Sequence, residues 1–338
     1  MTKQFKVGVF GATGAVGRTM IQVLEERDFP VGELVLYASS RSAGSRLTFK
    51  EQEVEVRELN RSSLVPLDTA LFSAGSSVSL EFAPLVTDLG AVVIDNSSAF
   101  RMEPEVPLVV PEVNSQAAFN HHGIIANPNC STIQMVVALY PLQQAAGIKR
   151  IVVSTYQSVS GTGKKAVDEL MEQSRLLLEG QPCPKPAVYH RRIGFSLFPH
   201  IDVFLDNGST REEWKMVEET KKIMNLPDLK MSVTCARVPV RIGHAEAINI
   251  ELERDLSADT ARKLLAAAPG VIVLDSPDHC RYPTPEDCED RDEVFVGRVR
   301  RDESVSHGLN LWVVADNLRK GAASNAVQIA ETLFVSSP

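Results

Sequence analysis

The chain lacks any paired arrangement of cysteines. Its five cysteines stand at positions 130, 183, 235, 280 and 288, an odd number that contains no CxxC pair. This spacing suggests neither a disulfide framework nor a zinc site, so we predict no metal. It leaves open that one cysteine is chemically reactive.

A basic stripe and a long apolar run are also lacking. Asp and Glu outnumber Lys and Arg by 43 to 35, and the net charge of -8 argues against a surface for nucleic acid. No apolar run approaches the roughly 18 residues that cross a bilayer. The beginning of the chain, MTKQFKVGVFGATG, has neither the apolar stretch nor the cleavage site of a signal peptide. We therefore expect a cytoplasmic protein that binds neither nucleic acid nor membrane.

The length and the pattern of apolar segments predict two domains. At 338 residues the chain exceeds the size at which one core usually stops growing. Near the beginning, FKVGVF, AVGRTMIQVLEER and ELVLYAS alternate strand-like and helix-like character, which is typical of a parallel sheet with crossover helices. Later, IVVSTYQSV, KMSVTCARVPV, EAINIEL and EVFVGRVR are strand-like segments interrupted by two helix-like ones.

The predicted fold class is therefore α/β, with a Rossmann-type parallel sheet at the N-terminus and an α+β domain on a mostly antiparallel sheet. We place the first domain at residues 1–128 and the second at residues 129–316. The last stretch has helical periodicity, and we assign a helix at 317–338 that packs back on the first domain and completes it.

Three glycines indicate a dinucleotide site. Gly11, Gly14 and Gly17 in GATGAVG follow an apolar strand and open a helix. There a glycine closes the turn, another lets backbone amides approach a pyrophosphate, and the helix N-terminus supplies partial positive charge. The alternative is an ordinary tight turn, but the position at the head of a βα alternation favours a dinucleotide.

The end of the second strand favours NADP over NAD. NAD-binding folds usually carry an acidic residue there for the ribose hydroxyls, and this chain has none. It has Ser39, Ser40, Arg41 and Ser42, a guanidinium among hydroxyl groups that suits a 2′-phosphate.

Cys130 is a candidate nucleophile. In ANPNCSTIQMVVALY it lies between a turn and a helix that we expect to begin at about Ser131 or Thr132, where free N–H groups stabilise a thiolate. The alternative is a small buried apolar residue. His244, in RVPVRIGHAEA, is the best placed of the seven histidines to move a proton, although His190 and His200 remain alternatives.

The segments GATGAVG, ASSRSAG, DNSSAFRMEPEVPLVVPEVN, ANPNCST, STYQSVSGTGKKAVDEL, ARVPVRIGHAEA and DNLRKGAASNAVQIAE together resemble the aspartate-semialdehyde dehydrogenase family. The resemblance runs along most of the chain. It implies an NADP-dependent phosphorylating aldehyde dehydrogenase that reduces L-aspartyl 4-phosphate to L-aspartate 4-semialdehyde through a cysteine thioester. It also implies a place in lysine, threonine, methionine and diaminopimelate biosynthesis, and a second domain that carries catalysis and dimerisation in a homodimer or homotetramer.

The resemblance implies a role for each matching residue. Cys130 would be the nucleophile, His244 the acid and base, and Gln157 would orient the acyl group. The substrate-binding residues would be Arg237 for the α-carboxylate, Glu212 for the α-amino group, Arg101 and Lys215 for phosphate, and Asn129 beside the nucleophile. The cofactor-binding residues would be Gly11, Thr13, Gly14, Ala15, Val16, Gly17, Ser39, Ser40, Arg41, Ser42, Ser73, Gly75, Gly161 and Asn317.

Two alternatives remain at this stage. N-acetyl-glutamyl-phosphate reductase uses the same thioester chemistry on a longer, N-acylated substrate, and Glu212 distinguishes the two because only a free ammonium needs an anion. A non-catalytic NADP-binding paralogue is the other alternative, and the presence of Cys130, Gln157, Arg237 and His244 argues against it. Without the resemblance, Glu212 and Lys215 would be interpreted as an i, i+3 pair on a solvated helix face.

Overall fold

The computed structural model describes residues 3–335, which form two compact units. Residues 3–129 and 322–335 make up the first unit, and residues 130–321 make up the second. The predicted first domain began at residue 1 and its closing helix ended at residue 338, so both of those ends lie outside the described residues. Each unit has its own β-sheet.

The sheet of the first unit is almost entirely parallel. Its strands are β1 (Phe5–Phe10), β2 (Val31–Ala38), β3 (Arg46–Phe49), β4 (Gln52–Glu58), β5 (Thr69–Phe72), β6 (Val92–Asp95) and β7 (Ile124–Ala126). They lie in the order β3-β4-β2-β1-β5-β6-β7, and β3 with β4 is the one antiparallel pair. The chain moves outward from β1 first on one side and then on the other. Such a reversal creates a crevice beyond the carboxyl end of β1, where ligands bind in this class of fold.

Helices cover this sheet. The helices of the first unit are α1 (Ala15–Glu26), α2 (Ser76–Asp88), α3 (Pro111–Asn114) and α9 (Ser324–Phe334). The apolar stripe of α1 buries Met20 and Leu24 in the same core as Val9 of β1. Ala326 and Ala330 of α9 belong to that core as well, so the C-terminal helix is a structural part of the first unit.

The sheet of the second unit is mostly antiparallel. Its strands are β8 (Ile148–Gln157), β9 (Lys230–Arg237), β10 (His244–Leu252), β11 (Val271–Val273), β12 (Val294–Asp302) and β13 (Gly308–Ala315), in the order β11-β12-β13-β10-β8-β9. β8 with β9 and β11 with β12 are parallel, and the other pairs are antiparallel. The predicted α/β class, with a parallel first sheet and a mostly antiparallel second sheet, is confirmed.

One buried helix backs the second sheet. The helices of this unit are α4 (Cys130–Ala146), α5 (Lys164–Leu178), α6 (Arg211–Met224), α7 (Ala258–Ala267) and α8 (Pro285–Cys288). Residues 131–139 of α4 are all buried, as expected of a helix that is apolar on most sides and lies in the core of its unit. This helix begins at Cys130 itself, slightly earlier than predicted.

Three strand ends meet at one edge of the second sheet. Gln157 ends β8 and lies beside Arg237, which ends the parallel strand β9. His244 begins β10, which runs antiparallel to β8. The topology therefore brings three predicted site residues to the same edge, although they are separated by long stretches of sequence.

Candidate active site

The glycine loop joins β1 to α1 in the first unit. Gly11 adopts a φ of +87°, and a Cβ atom added there would lie 2.9 Å from the backbone carbonyl of Ser73. A Cβ on Gly17 would lie 2.2 Å from the carbonyl oxygen of Gly11. Both positions therefore require glycine, the first for its conformation and the second for the close approach of helix and loop. Gly14 is the N-cap of α1 and provides no side-chain cap, which leaves the first helical amides for an anionic group.

The loop after β5 lies beside the glycine loop. Ser73 donates its backbone N–H to the carbonyl oxygen of Phe10 over 2.8 Å. Gly75, with a φ of +92°, forms the N-cap of α2. The two loops thus lie next to each other at the carboxyl ends of adjacent parallel strands, beside the point where the strand order reverses.

The turn after β2 is exposed and contains no carboxylate. The backbone N–H of Ser42 donates to the carbonyl oxygen of Ser39 over 2.9 Å, and Arg41 extends from the turn between them. No acidic residue occurs between Ala38 and Glu51. The donors at the end of β2 are therefore hydroxyl groups and a guanidinium.

Arg101 is buried in the first unit, which differs from the surface position that an isolated arginine after a turn would suggest. Its Nε donates to the carbonyl oxygen of Asn127 and its Nη2 to that of Asn96, both over 2.9 Å. These bonds fix the plane of the guanidinium. Asn129, the last residue of this unit before Cys130, is buried too.

In the second unit, Cys130 lies against the segment that precedes α9. A Cβ added to Gly321 would lie 2.8 Å from the Cβ of Cys130 and 3.6 Å from that of Asn317. Residues 319–323 form a π-helical stretch, a rare geometry that is frequent at functional sites. Gly321 thus allows the backbone to approach the candidate nucleophile closely, and Asn317 lies near the same position.

Asn317 is connected to His244 through Ser158. Its Oδ1 accepts hydrogen bonds from the Ser158 hydroxyl over 3.0 Å and from the backbone N–H of Gly243 over 3.0 Å. Ser158 in turn lies 3.1 Å from Nδ1 of His244 through both its backbone N–H and its hydroxyl. Hydrogen bonds therefore connect Asn317 with His244 through Ser158, and Gly321 lies close to both Asn317 and Cys130.

The environment of His244 fixes its protonation state. A backbone N–H can only donate, so Nδ1 of His244 must accept from Ser158, and the proton of the neutral ring is assigned to Nε2. Burial, reinforced by the positive charge of Arg237, lowers the pKa of His244 to about 3. Among the described residues, Nε2 is a buried donor without a hydrogen-bond partner. Gly161, whose added Cβ would lie 3.4 Å from this nitrogen, leaves room beside it.

Arg237 is held from one side. Its Nη1 donates to the carbonyl oxygen of Ser158 over 2.6 Å, and its guanidinium carbon lies 5.9 Å from the centre of the Tyr189 ring. Its Nε is buried and has no hydrogen-bond partner among the described residues. The guanidinium therefore retains an unsatisfied donor, and an unsatisfied buried donor favours binding of an anion.

A cavity of about 320 Å³ adjoins Arg237 in the second unit. Its lining carries mostly basic polar groups and one carboxylate, and the residues that line it include Arg237, Tyr189, His190, Arg191, His200 and Asp202. The rings of His190 and His200 stack with their centres 5.6 Å apart. These two histidines therefore line the cavity, whereas His244 is the one that contacts Ser158.

Three predicted site residues and Asp202 form a chain of polar contacts that leads to the cavity. Gln157 Nε2 lies 3.4 Å from Glu212 Oε1, and the other oxygen of Glu212 lies 3.2 Å from Lys215 Nζ. Lys215 also donates to Asp202 over 2.7 Å. The i, i+3 pair of Glu212 and Lys215 exists, but their side chains are only 7% and 15% exposed, so it does not lie on a solvated face.

Two other cysteines are poor nucleophiles. Burial, followed by the charge of Glu212, raises the pKa of the Cys235 thiol well above its ordinary value. Burial and the charge of Asp316 raise the pKa of Cys288 to about 12. Cys130, in contrast, is half-buried at a helix N-terminus, where helical amides favour a thiolate.

Near His244 on β10 lies a buried carboxyl group, that of Glu246. Glu246 follows His244 by two residues on the same face of β10, and Thr155 is its partner on β8. Burial raises the pKa of Glu246 well above its ordinary value. The amide of Gln134 opposes this shift but makes no hydrogen bond of normal geometry with the carboxyl group, so burial decides the direction and favours the neutral form.

The predicted site residues occur in both units. Cys130, Gln157, Glu212, Lys215, Arg237, His244, Gly161 and Asn317 belong to the second unit, whereas Arg101, Asn129 and the other cofactor residues belong to the first. Sequence reasoning missed Ser158, Tyr189, Asp202, Glu246 and Gly321. Ser158, Glu246 and Gly321 lie inside segments that the sequence analysis quoted, whereas Tyr189 and Asp202 do not.

Metal and membrane features are absent from residues 3–335. No group of three or more His, Cys, Asp or Glu side chains in this range could hold a metal ion. No helix in the same range is long and apolar enough to cross a membrane.

Comparison with known families matches both units. Residues 6–121 match the family model described as semialdehyde dehydrogenase, NAD binding domain. Residues 139–320 match the model described as semialdehyde dehydrogenase, dimerisation domain. The two models follow each other along most of the chain.

Full-length relatives agree with these models. The chain is 57% identical to an aspartate-semialdehyde dehydrogenase of Aquifex aeolicus, over 97% of this chain and 98% of the relative. It is 55% identical to one of Legionella pneumophila, over 98% and 96%. Among solved structures, aspartate semialdehyde dehydrogenase II of Vibrio cholerae complexed with ASA matches with a TM-score of 0.95 and 49% identity over all of both chains. The aspartate semialdehyde dehydrogenase of Candida albicans with NADP matches with a TM-score of 0.75 and 26% identity over 98% of each chain. Since these matches cover nearly all of the chain at 49 to 57% identity for the nearer relatives named here, the chain belongs to the aspartate-semialdehyde dehydrogenase family of oxidoreductases.

Proposed function

We propose that this chain carries out the NADPH-dependent reductive dephosphorylation of L-aspartyl 4-phosphate to L-aspartate 4-semialdehyde, within lysine, threonine, methionine and diaminopimelate biosynthesis. The single observation that supports it best is that Gly321 lies close to both Cys130 and Asn317, while Ser158 is hydrogen-bonded to both Asn317 and His244. These contacts relate a nucleophile to a proton-bearing imidazole in a family defined by this reaction.

The first unit fits NADP. The loop around Gly11, Gly14 and Gly17 turns tightly because Gly11 and Gly17 carry no side chain, and the helical amides of α1 complement the charge of a pyrophosphate. Arg41 and its serine neighbours suit a 2′-phosphate, with no carboxylate to repel it. When bound, NADPH supplies the hydride that brings the acyl carbon to the aldehyde level. The residues that would hold the cofactor are Gly11, Thr13, Gly14, Ala15, Val16, Gly17, Ser39, Ser40, Arg41, Ser42, Ser73, Gly75, Gly161 and Asn317.

Cys130 performs the covalent step. Its thiolate attacks the carbonyl carbon of the acyl phosphate, the C–O bond to phosphate breaks, and inorganic phosphate leaves with the electron pair. The product is a thioester on Cys130, which holds the acyl group on the protein until it is reduced. The amides at the beginning of α4 stabilise the thiolate both before attack and when it leaves the reduced carbon.

His244 acts through Nε2. Because Nδ1 accepts from Ser158, the neutral ring presents an N–H donor that stabilises the negative oxygen of each tetrahedral state. Its lowered pKa keeps the ring neutral at physiological pH, so a charged imidazolium is not required in the resting enzyme. Gln157, buried at the end of the adjacent strand, orients the acyl oxygen.

Charge assigns the remaining groups. The unsatisfied Nε of Arg237 and its planar guanidinium suit the substrate α-carboxylate. Glu212, a buried carboxylate, suits the free α-ammonium and would not suit an acetamido group, which disfavours the N-acetyl-glutamyl-phosphate alternative. Lys215 and Arg101 are the proposed phosphate ligands, and Asn129 borders the nucleophile.

The dimerisation model over residues 139–320 supports assembly through the second unit. We propose a homodimer that uses the sheet face opposite α4, where Tyr156 and Trp312 form a ring pair with centres 5.5 Å apart and Tyr156 is exposed. Analytical ultracentrifugation separates this dimer from a homotetramer. A cytoplasmic location, with no nucleic-acid partner, completes the proposal.

One assay tests the activity directly. The purified chain should reduce NADP when given aspartate semialdehyde and phosphate together, and should do so only slowly when phosphate is omitted. Turnover with N-acetyl-glutamate semialdehyde in its place, or with neither aldehyde, would contradict the proposed function.

A further inference from the structure

The ammonium group of Lys215 forms ion pairs with two carboxylates that differ in exposure. Glu212 is 7% exposed and also contacts Gln157, so it is part of the buried site. Asp202 is 29% exposed, lines the cavity beside Arg237, and lies on an irregular segment outside the helices and strands. Of the two carboxylates, Asp202 is therefore the one that another anion can replace at Lys215.

The local backbone presents Asp202 to the lysine. Its φ of +67° lies in the left-handed region, and one carboxylate oxygen accepts from the backbone N–H of Val203 over 2.9 Å. The other oxygen accepts from Lys215 over 2.7 Å. Burial by itself would raise the pKa of Asp202, but the hydrogen bond and charge of Lys215 outweigh it and the pKa is lowered. The carboxylate is therefore ionised at neutral pH.

An anion that binds Lys215 must compete with this carboxylate. Phosphate would be a third anion at an ammonium that already contacts Glu212 and Asp202, and the repulsion among the three falls when the more exposed carboxylate, Asp202, withdraws. We propose that Asp202 is a resident competitor at Lys215 that displaces phosphate, so that it weakens phosphate binding and speeds the departure of phosphate after acyl transfer. This inference rests on the proposed role of Lys215 as a phosphate ligand.

The competing explanation is that Asp202 joins Glu212 in binding the substrate ammonium. The two explanations predict different kinetic changes. A competitor changes the KM for phosphate, whereas an ammonium ligand changes the KM for aspartate semialdehyde.

The test is Asp202→Asn, which removes the charge and keeps the shape, with Asp206→Asn in the same segment as the exposed control. In phosphorylating oxidation, Asp202→Asn should lower the KM for phosphate about fivefold, the effect of losing one partly exposed ion pair. The KM for aspartate semialdehyde should not change, and inhibition by phosphate in the reductive direction should strengthen by a similar factor. Asp206→Asn should behave as wild type. An unchanged or higher KM for phosphate, or a higher KM for the semialdehyde, overturns the inference.

Lys215→Ala separates this inference from the proposed function. If Lys215→Ala raises the KM for phosphate and Asp202→Asn does not lower it, the competitor role alone fails. If Lys215→Ala leaves the KM for phosphate unchanged, the proposed phosphate site fails. In the Lys215→Ala background, Asp202→Asn should no longer affect phosphate, because the pair acts as one unit. Asp202→Ser provides a second neutral variant, and melting temperatures verify that each variant folds.

Discussion

The backbone N–H of Ser158 donates to Nδ1 of His244 across 86 positions of sequence. This bond assigns the proton of the neutral ring to the other nitrogen, Nε2, beside the guanidinium of Arg237. The same serine supplies its carbonyl oxygen to Arg237 and its hydroxyl to Asn317. Ser158 thereby orients three residues of the candidate site, His244, Arg237 and Asn317.

We expect His244 to remain neutral as a Nε2–H tautomer over the working pH range. Its folded-state pKa of about 3 lies below the unfolded value of roughly 6.5, so the unfolded chain binds more protons between these values. The stability contribution is therefore present above about pH 6.5 and is lost as the pH falls toward 3. Nitrogen-15 NMR should show one protonated ring nitrogen from pH 8 to pH 5. A His244 titration near pH 6.5 would refute the assignment.

Glu246→Gln should stabilise the protein at alkaline pH. The folded-state pKa of Glu246 is raised, so between about 4.3, the unfolded value, and the raised value the folded state binds more protons, and stability falls as pH rises. Glutamine removes this dependence and keeps the shape. Its melting temperature should exceed that of wild type at pH 8, and the difference should shrink toward pH 4.

Glu251→Gln on the same strand is the matched control for this measurement. Its pKa is lowered through the hydrogen bond with Lys149, so it contributes stability above its unfolded pKa, and its loss should not raise the melting temperature at pH 8. Equal behaviour of the two variants would mean that Glu246 is not a neutral buried acid.

Arg41→Ala should erode the preference for NADPH. The side chain is exposed and remote from the reacting carbon, so it contributes uniform binding, and its loss should appear in KM with little change in kcat. We expect the KM for NADPH to rise about tenfold, near the lower end for a hydrogen bond to a charged group, and that for NADH to change little. Arg46→Ala, exposed on β3, is the control. An equal effect on both cofactors would show that Arg41 does not bind the 2′-phosphate.

Arg237→Ala should affect the semialdehyde and leave phosphate nearly unchanged. The guanidinium is buried and its Nε has no hydrogen-bond partner among the described residues, so removing one member of the proposed charge pair should lower kcat/KM for the aldehyde roughly tenfold to a hundredfold. Arg237→Lys should rescue poorly, since an ammonium cannot make the two-pronged contact. Should the KM for phosphate rise in place of the aldehyde term, the assignment of Arg237 to the carboxylate is wrong.

Local signals carried the successful predictions from sequence. The glycine spacing, the absence of an acidic residue after β2 and the beginning of a helix after Cys130 can each be recognised from a few adjacent residues. The strand pattern predicted both sheets. The hairpin of β3 and β4 was missed because its turn uses Lys50 and Glu51, both with positive φ, in place of the usual Asn-Gly. The assignment of roles to individual side chains remains a prediction.

Contacts between distant segments could not be predicted in this way. Ser158 meets His244, and Asp202 meets Lys215, only because the chain folds back, and nothing in the adjacent sequence identifies either pair. Glu246 is an intermediate case. In EAINIEL, Glu246, Ile248 and Ile250 are two residues apart and therefore lie on the same face of the strand, the face that is buried. The period of two thus indicates an acidic residue in the core.

The central claim is that Cys130 carries the acyl group as a thioester, and mass spectrometry of the intact protein tests it most directly. With aspartate semialdehyde and NADP but no phosphate, wild type should form about one equivalent of NADPH in a burst, as expected for covalent catalysis. An aspartyl adduct should then be found on the Cys130 peptide and be released when phosphate is added. Cys130→Ser should bind NADPH, show no adduct and lose nearly all turnover. A burst of NADPH without an adduct on Cys130, or wild-type turnover in the serine variant, would contradict the account.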